Sequence, residues 1–193
     1  MNGTSFTRRH GSTLVEVLVA FNLLLLVLFG AASLCRVGNL LYHRINAESG
    51  CTETTSRALI RLGAVLYTAL RVEMSQSTSS RLVVVLPRTD STGSYIVPLE
   101  DGPVVTIYLG DDSGTPSDTG TILWRAVGGV PDRDWSLRGS RPVVALSPGG
   151  LCFRYPAVTT PTGVQVSVTA TRWNGSQTCF ATSTSEFFFR NAR

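Results

Sequence analysis

The chain has 193 residues, 16% of them charged, and a formal net charge of +4. That length allows one modest domain plus a long helix, and the charge is too small for an electrostatic nucleic-acid footprint. All 17 basic residues are arginine, which GC-rich coding explains without any phosphate-binding role.

The first element follows a short basic leader. Arg8-Arg9-His10-Gly11 runs into Ser12-Thr13-Leu14-Val15-Glu16-Val17-Leu18-Val19-Ala20-Phe21. Across residues 14–34 the only strongly polar side chains are Glu16 and Asn22. About 20 apolar residues cross a bilayer core, so this run qualifies as a membrane span. A carboxylate within such a span costs roughly 2.5–3.5 kcal/mol on insertion scales and marks a functional position. The plainer alternative is that Glu16 snorkels to the nearby surface. Arg8 and Arg9 precede the span, which places the N-terminus in the cytoplasm and the remainder outside it. A secretory signal cut near Gly30-Ala31-Ala32-Ser33 and a plain signal anchor are two other readings, and neither explains the glutamate.

Helical periodicity continues past the span. Val37, Leu40, Leu41, Ile45, Leu59, Leu62, Val65, Leu66 and Leu70 recur at three- and four-residue spacing, with charged residues filling much of the rest. The pattern predicts a nearly continuous helix over 13–72, about 90 Å long at 1.5 Å per residue. Gly30, Gly38 and Gly50 are candidate bends, and the polar, β-branched stretch 51–56 is a candidate break.

Residues 75–80 (Ser-Gln-Ser-Thr-Ser-Ser) form a loop signal, and beyond them the period changes. Apolar, β-branched runs at 81–86, 95–99, 104–109, 121–127, 143–146, 151–155, 164–171 and 185–189 read as strands. Thr92-Gly93, Asp101-Gly102-Pro103, Gly128-Gly129 and Pro148-Gly149-Gly150 read as the turns between them. Short strands at this spacing argue for a mostly antiparallel sheet, giving an α+β fold with a long N-terminal helix and a β-rich head.

Gly11-Ser12-Thr13-Leu14-Val15-Glu16 resembles the cleavage motif of the type IV pilin-like family, whose members carry class III signal sequences. The resemblance implies that a prepilin peptidase cuts after Gly11, that Ser12 becomes the N-methylated amino terminus, and that Glu16 pairs with the terminal amine of a neighbouring subunit. Serine stands where the family prefers phenylalanine, and glycines rather than a proline interrupt the apolar helix. Further along, Val105-Thr106-Ile107-Tyr108, Gly120-Thr121-Ile122-Leu123-Trp124-Arg125, Leu151-Cys152-Phe153-Arg154-Tyr155 and Glu186-Phe187-Phe188-Phe189-Arg190-Asn191 resemble the strand order of PilW-type minor pilins and J-type pseudopilins of type II secretion. The implied fold is type IV pilin-like, with the second half of the helix packed on an antiparallel sheet.

The implied organisation is a leader at 1–11, a transmembrane and assembly helix at 12–34, its amphipathic continuation at 35–74 and a periplasmic head at 75–193. The implied role is that of a minor pilin-like subunit that primes, caps or modulates a type IV pilus. A pseudopilin of a type II secretion or competence system is the alternative within the family. A membrane-anchored periplasmic binding module or enzyme is the alternative outside it. The expected partners are the prepilin peptidase, other major and minor pilins, the inner-membrane assembly platform and the inner membrane itself. No cofactor is expected.

The cysteines are Cys35, Cys51, Cys152 and Cys179, and in an oxidising periplasm a disulfide is their natural use. Cys35 and Cys51 fall about 24 Å apart on one helix and cannot pair. Cys152 and Cys179 both lie in the strand-rich region and are the preferred pair, with Cys51 bonded to either of them as the alternative. Cys35 is expected to pack as a small apolar residue. With His10 and His43 as the only histidines, a zinc site of ordinary spacing and a Ser-His-Asp set in the head are both excluded.

The loop 110–118 carries Asp111, Asp112 and Asp118, oxygen donors suited to calcium, although a solvated hairpin tip is the plainer reading. Trp124, Trp135 and Trp173 beside Arg125, Arg138 and Arg172 could stack single-stranded DNA, against core aromatics with solvated arginines as the plainer reading. The expected chemistry is assembly rather than catalysis.

Overall fold

The computed structural model describes residues 13–138, 144–156, 161–173 and 178–189. Gly11, Ser12 and the rest of the leader lie outside the described residues, as do Arg190 and Asn191. Among the described residues one helix, α1 (Leu14–Leu66), is followed by eight strands: β1 (Arg71–Val72), β2 (Arg81–Pro87), β3 (Asp101–Gly110), β4 (Ile122–Val127), β5 (Val130–Pro131), β6 (Val144–Arg154), β7 (Gly163–Trp173) and β8 (Thr178–Phe188). The chain divides into two compact units, Met1–His43 and Arg44–Arg193.

The helix runs through Gly30, Gly38, Gly50 and the 51–56 stretch without a break. The break expected at 51–56 is absent because its hydroxyls turn back onto the helix. Thr52 Oγ1 donates to the Glu48 carbonyl at 3.0 Å, Thr54 Oγ1 to Gly50 at 2.9 Å and Thr55 Oγ1 to Thr52 at 3.0 Å. Two i,i+4 ion pairs, Arg44–Glu48 before that stretch and Glu53–Arg57 reaching out of it, lie along the same helix.

The helix ends at Leu66, short of the expected residue 72. Thr68 N and Ala69 N reach back only three residues, to Val65 and Leu66, and Thr68 Oγ1 takes the Val65 carbonyl at 2.8 Å. The following donors go to a strand instead: Leu70 N to Val85 O and Glu73 N to Val83 O, each at 2.8 Å. Leu70 and Val72 therefore continue the apolar spacing by sequence alone, while their backbone belongs to the sheet.

The strands form two antiparallel sheets, ordered β1-β2-β3-β4-β5 and β6-β7-β8, where a single sheet was expected. The predicted strand at 95–99 does not form. The Asp90 carboxylate gathers the Thr92 and Ser94 amides into a tight loop, so Tyr95 makes only an isolated bridge to Thr89. Pro98 then supplies no N–H to a ladder. The turn expected at 148–150 is a bulge inside one strand: the β6–β7 register slips between Leu146 and Leu151. A Cβ on Gly150 would lie 2.8 Å from the Ser147 and Thr169 carbonyl oxygens, so only glycine fits the slip. β8 begins at Thr178, earlier than the expected 185, because its Ser/Thr run pairs along β7, with hydroxyl bridges Thr169–Thr182 and Ser167–Thr184 at 2.9 Å.

Within the second unit one core joins the helix and both sheets. Ala58, Leu62, Val65 and Leu66 of α1 meet Leu82 and Val84 of β2, Val105 and Ile107 of β3, Leu146 and Phe153 of β6 and Val164, Val166 and Val168 of β7. Full burial of each such side chain is worth about 1.5–3 kcal/mol. The opposite face of β3–β4 carries a smaller cluster, Tyr108, Ile122, Trp124 and Ala126. Two bonds tie the sheets together: Phe153 N to Ser79 O at 2.7 Å and Tyr155 Oη to Thr78 O at 3.2 Å.

The helix face toward β8 is cut small. Gly63 lets the Phe187 ring cross the helix, where it meets Tyr67 edge-on at 5.7 Å between centroids. A Cβ on Gly63 would fall 2.9 Å from that ring. Gly63→Val is expected to cost about 1–3 kcal/mol by overpacking. The loss will read as a lower urea midpoint for the full chain in detergent micelles, and an unchanged midpoint would show that the ring moves aside freely.

Candidate functional site

The candidate site is the start of α1 and the apolar surface that follows it. Thr13 and Glu16 close the first turn reciprocally. The Thr13 amide donates to Glu16 Oε2 at 3.0 Å, and the Glu16 amide donates to Thr13 Oγ1 at 3.3 Å. This is a capping box, in which residues three apart satisfy each other's free backbone donors. A carboxylate in a first helical turn also meets the positive end of the helix dipole. The Thr-x-x-Glu signature was present in the sequence, although the apolar context alone draws attention to the carboxylate.

Around and beyond that turn every described side chain of residues 13–43 is exposed except Leu25, which is half-buried. Leu14 is 83% exposed and Phe29 71% exposed. In water such a surface forfeits the burial free energy of each apolar side chain. By length and composition the helix can cross a membrane. Glu16 is also exposed, so the carboxylate stands on the same surface as the apolar residues. Cys35 is exposed there too.

The other candidate residues do not gather into sites. Asp111 turns into its own loop. Its Oδ1 accepts the Ser113 hydroxyl at 2.6 Å and the Ser113 and Thr115 amides at 2.9 and 3.0 Å. The Ser113 hydroxyl, and then the Thr115 amide, hold its carboxyl below the usual carboxylate range. Asp112 pairs with Arg138 at 3.0 Å, and Asp118 joins neither. No group of three or more His, Cys, Asp or Glu fit for a metal ion occurs among the described residues.

The tryptophans are likewise separated. Trp124 is fully buried and donates Nε1–H to the Asp111 carbonyl at 2.8 Å, so its faces are closed to bases. Trp173 is 57% exposed on β7, and Trp135 packs beneath Arg125, whose guanidinium lies 5.5 Å from the ring centroid. The arginine–aromatic stacking surface is therefore not assembled.

Instead Arg125 and Trp135 belong to a clamp that the sequence did not single out. Arg125 Nη2 pairs with Asp132 Oδ2, and Asp132 Oδ1 accepts the Asp134 and Trp135 amides at 3.1 and 3.2 Å. Arg61 of α1 donates to the Trp135 and Ser136 carbonyls. Arg125, and then the Trp135 amide, hold the Asp132 carboxyl below its ordinary range.

The preferred disulfide, Cys152–Cys179, is not formed. Cys152 stands opposite Ser167 on β7, whereas Cys179 stands opposite Arg172, five positions further along the same strand. That offset is about 17 Å along the strand, with a whole strand between, far beyond disulfide reach. Cys51, not Cys152, is the cysteine beside Cys179: its Sγ lies 3.9 Å from the Cys179 carbonyl oxygen.

No family model matches the chain, and the searches against curated proteins and solved structures return no match either.

Two outcomes are expected from these contacts. Thr13→Ala removes one half of the cap and should cost about 0.5–2 kcal/mol locally. It will read as roughly 2- to 30-fold faster amide exchange at Glu16, with exchange deep in α1 unchanged. Asp132→Asn removes a carboxylate whose folded-state pKa is depressed, so its stabilisation is present above the ordinary carboxylate range and fades as pH falls through the folded value. The stability gap between wild type and variant, followed by urea unfolding, should be largest near neutral pH and shrink below about pH 4. A gap independent of pH would assign the effect to packing alone.

Proposed function

We propose that the chain is a minor pilin-like structural subunit that primes, caps or modulates assembly of a type IV pilus. The observation that carries this reading is the lone carboxylate Glu16, five residues past Gly11, in the first turn of an exposed apolar helix. On this reading a prepilin peptidase cuts after Gly11 at the cytoplasmic face. The rest of the chain stays in the inner membrane with its head in the periplasm. Residues 14–34 then exchange lipid for the helices of neighbouring subunits.

The chemistry of the step is charge matching. Cleavage turns Ser12 into a positively charged amine. In a neighbouring subunit Glu16 accepts that amine, which neutralises both charges within the apolar layer. The cap does not prevent this, because a carboxylate offers about four acceptor positions and the Thr13 amide occupies one. A buried ion pair contributes little net stability, but it penalises any register that leaves either charge alone. The pair thus selects axial position while the apolar surface supplies the attraction.

The test is coexpression of the precursor with a prepilin peptidase and its cognate filament system. Wild type should gain mobility on gels, Gly11→Ala should not, and Glu16→Ala should be processed yet enter sheared filaments poorly. Absence of a shift in the wild-type chain would favour a plain membrane anchor. Normal filament entry of Glu16→Ala would remove the carboxylate from assembly.

A further inference from the structure

Cys51 and Cys179 meet where α1 packs on the three-stranded sheet, 128 residues apart in sequence. Cys51 is 0% exposed and Cys179 7% exposed. The residues around them are small on both sides: Ala47, Gly50 and Thr54 on the helix, Ala181 and Ser183 on β8. Such side chains let a helix backbone come close to a strand, and the contact bears this out. The Cys51 Sγ reaches the backbone carbonyl of Cys179 itself, and one turn on Thr55 Oγ1 and Ser183 Oγ share a hydrogen bond of 2.8 Å. A disulfide between two elements requires this approach, since it holds Cα atoms about 4.4–6.8 Å apart.

A cation overlooks the same place. Arg172 lies opposite Cys179 on β7, and its Nη1 donates to the Asn46 carbonyl of α1 at 3.1 Å. Its Nη1 is also 3.6 Å from where a Gly50 Cβ would be, so the guanidinium is held against the residue before Cys51. Positive charge favours the thiolate, the species that attacks a disulfide.

We propose that Cys51 and Cys179 are a redox pair that closes a buried disulfide between α1 and β8 when a disulfide donor is present. The step balances with glutathione disulfide or an oxidised thiol oxidoreductase as oxidant. One cysteine thiolate attacks the donor, forms a mixed disulfide and releases the first donor thiolate. The second cysteine thiolate then displaces the other donor thiolate. The Sγ–Sγ bond forms, the donor S–S bond breaks, two electrons pass to the donor, and the two cysteine protons end on the released thiols. Burial pushes the Cys51 thiol up, so exchange is fastest before the helix and sheet close over it. The pair does not depend on the assembly reading, because only the presence of a donor is required.

The test uses the full chain, purified with reduced thiols in detergent and refolded in a glutathione redox buffer. Acid quenching, alkylation under denaturing conditions and peptide mass spectrometry then locate every bond. The expected product is lighter by two hydrogens, yields a linked Cys51–Cys179 peptide and melts several degrees higher, a gain that dithiothreitol removes. Cys35→Ser and Cys152→Ser, alone or combined, should leave the bond in place, and Cys51→Ser or Cys179→Ser should abolish it. Separate alkylation of both thiols, a stalled glutathione adduct on either, or a bond from Cys152 to either would each overturn the proposal. These readouts come from the wild-type chain, so a variant that fails to fold leaves them intact.

Discussion

A helix closes its backbone hydrogen bonds within itself, and everything else in this chain depends on that. Each N–H of α1 past the first turn meets a carbonyl four residues earlier whether its surroundings are water, lipid or protein. The side chains are thus free to differ along one unbroken element. Over residues 14–34 they are apolar but for Glu16 and Asn22, and exposed but for half-buried Leu25; in the second unit a face including Ala58, Leu62 and Leu66 is buried and the rest carries arginine–glutamate pairs. A strand spanning the same residues would need a partner at every step.

What closes the ends of that helix is as local as what fills its middle. Side chains three residues apart supply the missing acceptors at the start, and at the end the Thr68 hydroxyl and the Thr68 and Ala69 amides supply donors to the Val65 and Leu66 carbonyls. The same economy governs the acidic loops. Asp90, Asp111 and Asp132 each fold the backbone around one carboxylate oxygen, with amides two to four residues onward as donors. Carboxylates used in this way are structural, and their lowered pKa follows first from side-chain donors, the Thr92 and Ser113 hydroxyls and the Arg125 guanidinium, and then from those amides.

The parts of the fold that were legible in the sequence are those whose signal is periodic and local. The long helix, the cores of β2, β3, β4 and β7 and the antiparallel pairing all follow from spacing and turn residues. Several things did not. The helix end was hidden because Leu70 and Val72 keep a helical spacing while serving a strand. The bulge in β6 was hidden because Pro148-Gly149-Gly150 has the composition of a turn, and only the Thr169 carbonyl across the ladder shows that the strand continues. The Ser/Thr-rich start of β8 was hidden because its stabilisation comes from hydroxyl pairs on β7, which are distant in sequence. The same holds for the sites. Glu16 stands out by contrast with its neighbours, but the meeting of Cys51 with Cys179 depends on how a helix seats on a sheet, and no spacing rule reaches across that distance.

The closure at Thr13 and Glu16 has one more consequence. Both of its halves lie downstream of Ser12, and each supplies the acceptor for the other's amide. The proposed cut after Gly11 would therefore remove neither partner of that closure. On that proposal the new amine would emerge one residue before a turn fastened by its own side chains.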